Sequence, residues 1–470
     1  MWTALLLLAG CAAPVPQAPV PSLTVPAHWR SPAAADAGAP QLGRAWWTAF
    51  GDPELDALVA AALNYNGDLR IARERVRAFR ARAAIVHAAQ LPVLDAQLQT
   101  ARTRTLNGAA QPFVTDIYQG GFQASYEIDV WGKLAQAGAA ALASYQAEQG
   151  NADAVAMSIA AGVADAYLNL RGLDAQLELA MATLGLRAES RELARRGFAA
   201  GYSSRLEQVQ AESEYKATAE QVPQLEHAIV EQENALALLA GRNPGSIVRG
   251  RRLADLTPPA VPAGLPSDLL RRRPDIYRAE RRLLAQDAKL LAVRGQMLPS
   301  VKMTVAGGVA NFDFHKLVNS PTALWSLALG LSAPLYEGGR LRAQTELAAA
   351  QRDEALFAYE STVRTAFAET ETGLDAVVRL RLQEEQSQAR RDSAAEALRI
   401  ARSRHRNGYS SYLEELDAQR TLYGAEVGLL QVRTRQLAAT VDLVRALGGG
   451  WSGANPRLPG ISAANKTGTP

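Results

Sequence analysis

Side chains able to do covalent or coordination chemistry are few and scattered along the 470 residues. Cys11 is the one cysteine, so neither an internal disulfide nor a cysteine-based zinc site can form. His28, His87, His227, His315 and His405 lie far apart, with no i, i+4 pair, and each reads as a surface or packing residue. No nucleophile, base and orienting group appear together, and no G-x-x-x-x-G-K-[ST] loop is present to cradle a nucleotide. An enzyme is not expected, nor any cofactor or metal. Cys11 stands apart because of what surrounds it. In Leu8-Ala9-Gly10-Cys11 the small residues would let a signal peptidase cut before a lipid-bearing cysteine, as in a bacterial lipobox. The other reading is a buried thiol in a short N-terminal helix. Lipidation is preferred because "APVPQAPVPSLTVPAHW" follows, a Pro-rich stretch suited to an extended tether. Residues 1–10 then read as a signal peptide. Its lack of Lys or Arg suggests truncation, with the true start upstream. Ala12 after the cysteine, in place of Asp, resembles outer-membrane lipoproteins.

Composition narrows the partners. A net charge of only +3 supplies no basic field, so nucleic acid is not expected. No run reaches the 18 or more apolar residues of a membrane-spanning helix. Aromatics are 6%, low for large globular cores, while Ala, Leu, Gln, Glu and Arg dominate long stretches. That is the composition of long helices and coiled coils.

The chain repeats itself. Shifted by 207 residues, Asp68 falls on Asp275, Pro92 on Pro299, Gly132 on Gly339, Gly241 on Gly448, and 201–204 (GYSS) on 408–411 (GYSS). Between these anchors the best shift drops to 200, matching Ala166-Tyr167 to Ala366-Phe367. The difference of seven is two helical turns, which keeps a heptad stripe facing the same way. The first repeat, 66–241, reads as a helix from about Asp68 to Gln90, a β-hairpin over about 93–131, and long helices near 133–198 and 205–240. The second, 273–448, reads as a helix opening at Pro274, a hairpin over about 300–336, and helices near 340–405 and 411–447. Residues 11–65 form an N-terminal tether and equatorial segment, 242–272 an equatorial linker, and 449–470 a disordered tail. Val363, Phe367, Thr370, Leu374 and Val377 are spaced 4, 3, 4, 3, the mark of helices packed as coiled coils. A helix of about 65 residues is roughly 100 Å long. Pro223 predicts a kink in its helix.

Four strands are expected, near 93–104, 118–131, 300–310 and 322–336. Phe122, Ala124, Tyr126, Ile128 and Val130 share one face, against Gln123, Ser125, Glu127 and Asp129. Trp325, Leu327, Leu329, Leu331 and Leu335 do the same in the fourth strand. Alternation fits a sheet with one face on a core, or one with its apolar face in lipid and its polar face on water. Strand lengths of about 10–13 residues fit a tilted crossing of a bilayer. Four strands cannot close a barrel, and open edges cannot exist in lipid. Three copies would supply twelve strands.

Several motifs in this order resemble the TolC-like outer membrane factor family, most closely its lipoprotein (OprM/NodT-like) branch of RND efflux systems. They are "WWTAFGDPELDALV", "YEIDVWGK", "LPSDLLRRRPDIYRAE", "PLYEGGRLRAQ", "GYSSYLEELDAQR" and "ALGGGW", spanning roughly 45–451. The resemblance implies a mixed α and β membrane protein and a homotrimer. Four strands per chain would close a 12-stranded barrel in the outer membrane, above a long coiled-coil α-barrel in the periplasm. It further implies an exit duct in a tripartite system, with a periplasmic adaptor, an inner-membrane RND transporter and outer-membrane lipid as partners. By the same resemblance Glu414, Asp417 and Ser410 fall at the pore gate, with Glu207 as the first-repeat counterpart of Glu414. Gly201, Tyr202, Gly408 and Tyr409 fall at the periplasmic tip that meets the adaptor. The plain alternative is that Glu414, Glu415 and Asp417 are solvated helix charges. Arg402, Arg404, His405 and Arg406 read as a solvated helix end or an adaptor contact, and Arg271–Arg273 as part of the equatorial belt. Two other functions stay open: a channel for type I protein secretion, and a periplasm-spanning structural lipoprotein without a pore.

Overall fold

The computed structural model describes residues 23–31, 43–262, 264 and 266–451. Cys11 and most of the C-terminal tail lie outside them. The elements in order are α1 (Pro53–Tyr65), α2 (Gly67–Ala88), β1 (Val93–Leu106), β2 (Pro112–Ile128), α3 (Lys133–Ala199) and α4 (Arg205–Leu239). Then come α5 (Pro266–Arg272), α6 (Pro274–Gly295), β3 (Ser300–Asn311), α7 (Phe314–Asn319), β4 (Thr322–Ser332), α8 (Arg340–Arg406) and α9 (Tyr412–Ala446). No helix among the described residues is long and apolar enough to cross a membrane.

Several elements depart from the sequence reading, each for a local reason. α1 lies in a segment assigned no helix, although Asp52 caps it by accepting from the Glu54 amide at 2.9 Å and Pro53 opens its first turn. β2 begins at Pro112, not 118, because Asn107 closes the hairpin in a tight turn. Its Oδ1 accepts from the amides of Ala109 (3.0 Å) and Gln111 (2.9 Å), leaving little of "LNGAAQPFVTD" as loop. β4 stops at Ser332, so Leu335 leaves the strand. α7, capped by Asp313, fills part of the connection between β3 and β4.

The described chain divides into two compact units. The first holds residues 23–25, 82–144 and 279–362 among those described. Its centre is a four-stranded antiparallel sheet in the order β1-β2-β3-β4. The register aligns side chains in rows across it. Leu94, Ala124, Val305 and Leu327 form one row, and Ala96, Phe122, Gly307 and Trp325 the next. Tyr126, Met303 and Leu329 form another, followed by Ile128, Val301 and Leu331. The opposite face carries Asp95, Gln123, Ala306 and Ser326, then Gln99, Gln119, Ala310 and Thr322. At the β2–β3 seam Gly121 faces Gly308, flanked by Gly120 and Gly307. A Cβ on Gly121 would fall 2.5 Å from the Gly307 carbonyl oxygen, and one on Gly308 would strike the Gly120 carbonyl. The helices α2, α3, α6 and α8 all join the sheet at one end, while the Asn107 turn and α7 close the other.

The second unit holds residues 26–81, 145–278 and 363–451 among those described. Its core packs Trp46, Phe50, Leu55 and Val59 against Val163, Tyr167, Leu168 and Leu170 of α3, Leu236 of α4, and Leu437 and Val441 of α9. Asp52 joins these parts. Its carboxylate accepts from the Tyr167 hydroxyl at 2.8 Å and from the Arg251 amide at 2.9 Å. A Cβ on Gly250 would collide with that carboxylate. Arg273, buried, donates to Asp275 at 2.7 Å and to the Ala446 carbonyl at 3.0 Å, and pairs with Glu369 at 2.8 Å.

Candidate functional site

Two helix turns built alike carry the acidic residues singled out by sequence. α3 ends at Gly201 (φ +77°), where the Tyr202 amide reaches back to the Gly197 carbonyl at 2.8 Å. α8 ends at Gly408 (φ +76°), and the Tyr409 amide donates to the Arg404 carbonyl at 2.9 Å. Both are left-handed C-terminal caps, a geometry that disfavours any residue with a Cβ. Tyr202 and Tyr409 project from them, 92% and 78% exposed. α4 then starts with Ser204 capping the Glu207 amide at 3.2 Å. α9 starts at the equivalent Ser411, whose side chain makes no such bond.

Glu414 and Asp417 sit on the first turns of α9, exposed and on the same side of the helix, three residues apart. Glu414 lies 3.8 Å from Arg404, both about half exposed, a weak surface pair. Glu207 holds the matching place on α4, half-buried. Ser410 is half-buried. Its carbonyl faces the His405 Nδ1 at 3.4 Å, while its hydroxyl oxygen is buried without a hydrogen-bond partner among the described residues. Glu415 is not a solvated charge, as the plain alternative held. It is buried and accepts from Arg402 at 3.2 Å and Gln419 at 3.1 Å. The basic run before the turn is likewise engaged within the chain: His405 packs on Tyr412 with ring centroids 5.8 Å apart.

Sequence reasoning missed the strongest polar cluster near these turns. Glu214 of α4, buried, bonds Arg187 of α3 at 3.0 Å and accepts from Arg420 of α9 at 2.9 Å. Arg187 also donates to Thr218 at 2.5 Å. Tyr423 of α9 donates to Gln221 of α4. Burial lifts the Tyr412 hydroxyl above the ordinary tyrosine value, and the charges of Glu415 and Glu214 lift it further. The available signal was spacing: Ala211, Glu214 and Thr218 lie three and four apart on a buried stripe. The cluster fastens three helices just behind the turn carrying Glu414 and Asp417. No group of three or more potential metal ligands occurs among the described residues.

The sheet is the second surface with a function to explain. Its apolar face is bare: Leu98 is 86% exposed, Trp325 84% and Leu331 73%. β1 and β4 each leave one edge of backbone donors and acceptors unpaired by the other strands. In water such a face and such edges would aggregate. In lipid the face is satisfied and the edges are not.

Comparison with known proteins accords with these surfaces. The family model described as "outer membrane efflux protein" matches residues 58–242 and again 265–449. The chain is 35% identical over 460 residues to the pyoverdine export outer membrane protein OpmQ of Pseudomonas putida, covering 96% of this chain and 97% of that one. Over 460 residues it is also 35% identical to the toluene efflux pump outer membrane protein TtgI of Pseudomonas putida, again covering 96% and 97%. The solved open state of the Neisseria gonorrhoeae MtrE outer membrane channel superposes with a TM-score of 0.82 at 30% identity, over 93% of this chain and 98% of that one. The bare apolar sheet and the paired long helices are thus features of a known design, and the chain belongs to the outer membrane efflux protein family.

Proposed function

We propose that the chain is the outer-membrane exit duct of a tripartite RND-type efflux system, passive and non-enzymatic. Three copies pool their sheets into a closed twelve-stranded barrel, and their long helices form a periplasmic tube that meets an adaptor and an inner-membrane transporter. One observation carries this reading: a four-stranded sheet with an uncovered apolar face and two open edges. Only lipid accepts that face, and only sister strands accept those edges. Cys11 is the proposed lipid anchor. Relatives are named for pyoverdine export and for toluene efflux. Such unlike cargoes support placing substrate choice in the pump.

Glu414 and Asp417 are the proposed gate. Three carboxylates per ring around a narrow axis repel one another and draw in cations. Conductance in planar bilayers tests the reading. The wild-type trimer is expected to open rarely and to favour cations. Glu414→Gln with Asp417→Asn is expected to lower the cation preference severalfold and raise the open time. A trimer that inserts but never conducts, even with both carboxylates neutralised, would instead be a structural lipoprotein.

A further inference from the structure

The outward face of the sheet does not stay apolar to its end. From Ile128 to Tyr118 on β2 the face is apolar or aromatic along the strand, ten residue steps or about 33 Å. Tilted as barrel strands are, that spans the roughly 25 Å of a lipid-facing band. Tyr118 lies level with Thr100 and Asn311 and marks the far rim, away from the helices. One and two rungs beyond it on β1, still on the outward face, stand Arg102 and Arg104. The Phe314 ring of α7 packs edge-on against Tyr118, centroids 5.6 Å apart, which places exposed Lys316 at the same rim.

Three cations thus sit just past an apolar band, at the depth of lipid headgroups. Arg102 is 77% exposed and 3.4 Å from Asp116. The side chains of Arg104 and Lys316 have no ion pair or hydrogen bond among the described residues. Asp313, the remaining anion at this level, is occupied in capping α7, accepting from the His315 amide at 2.9 Å. A guanidinium fork fits phosphate oxygens two at a time, and a flexible lysine adds a mobile charge. We infer that Arg102, Arg104 and Lys316 form an outer-rim site for the phosphate groups of a phosphorylated lipid in the outer leaflet. This rests on the proposed barrel, with the helices on the periplasmic side.

The test uses the full-length trimer in mild detergent, with diphosphorylated lipid A, its dephosphorylated form, and inorganic phosphate as separate probes. Native mass spectrometry reads bound lipid, and the trimer's melting temperature reads protection. Wild type is expected to retain the diphosphorylated lipid and not the dephosphorylated one, with no protection by millimolar phosphate. R102Q, R104Q and K316Q are each expected to weaken retention about fivefold, with conductance unchanged. Equal retention by the triple variant, or equal binding of the dephosphorylated lipid, overturns the site. Equal protection by inorganic phosphate makes it a free-anion patch and overturns the lipid assignment. A chain that never inserts into bilayers overturns the channel reading itself, whereas normal conductance with unaltered lipid binding overturns this site alone.

Discussion

At the scale of single residues, the telling groups are charges that the helices bury. Glu214 neutralises Arg187 in a site where neither reaches water freely, their side chains 10% and 9% exposed. Removing the acid strands a buried cation, which costs far more than a lost surface pair. Glu214→Gln is expected to destabilise the helical unit by about 2–4 kcal/mol, read as a lower midpoint in chemical denaturation followed by circular dichroism. Adding Arg187→Met should restore part of the loss. Asp275 supplies a pH prediction. Burial pushes its carboxyl up, but hydrogen bonding and charge from Arg273 outweigh this and hold it below the usual 3.8. A depressed folded-state value gives stability that is full above 3.8 and lost as pH falls through the depressed value. Asp165 acts in the opposite direction. Burial and the Asp442 charge raise it, so its contribution is present at low pH and lost as pH rises. Asp275→Asn should therefore flatten the acid limb of a melting-temperature profile and leave the neutral limb merely lowered. Little of this was legible in sequence. Glu214 and Glu415 look like any helix charge, because burial there is decided by a neighbouring helix and not by local composition.

Elements were far more legible. Glycine at left-handed caps and proline at first turns mark where helices must stop and start, and α3 and α8 end within a residue of the positions read from them. Errors fell where a side chain supplies structure that looks like loop, as Asn107 and Asp313 do. The turn glycines were legible because only a residue without a Cβ suits φ near +76°. The gate reading of Glu414 and Asp417 came from resemblance, since two exposed acids on a helix carry no signature of their own. Strand faces were legible from period-two alternation, and the register makes them testable. Leu329 lies on the outward face and Ala328 on the other. Leu329→Lys is expected to destabilise the inserted barrel by about 2–4 kcal/mol, while Ala328→Lys changes conductance without lowering the melting temperature. Equal penalties for the two would reverse the assignment of faces.

At the scale of the whole molecule, a single chain is unfinished. Besides the bare sheet, α2 and α8 expose apolar side chains on the first unit. Ile85 is 71% exposed and Phe357 61%, although α8 buries Ala348 and Leu356 close by. Phe357→Asp is expected to leave the helices formed but abolish the trimer, seen as monomer mass in light scattering with unchanged helical circular dichroism. A stable trimer in that variant would place Phe357 outside the contact between copies. The repeat itself was visible in sequence as an offset of 207, and the family model matches two segments whose first residues, 58 and 265, lie the same distance apart. What could not be read from one sequence was where the two halves meet. Their sheets meet at β2 and β3, along the seam where Gly121 faces Gly308, and their helices where Glu214 of α4 pairs with Arg420 of α9. Bare hydrogens on both strands leave nothing to prop that part of the wall open, so it can crease more sharply than its neighbours. In a ring of three copies the crease would recur at every fourth strand. The bore would then have a rounded-triangular outline, with corners set by four glycines and sides stiffened by the bulky rows between them.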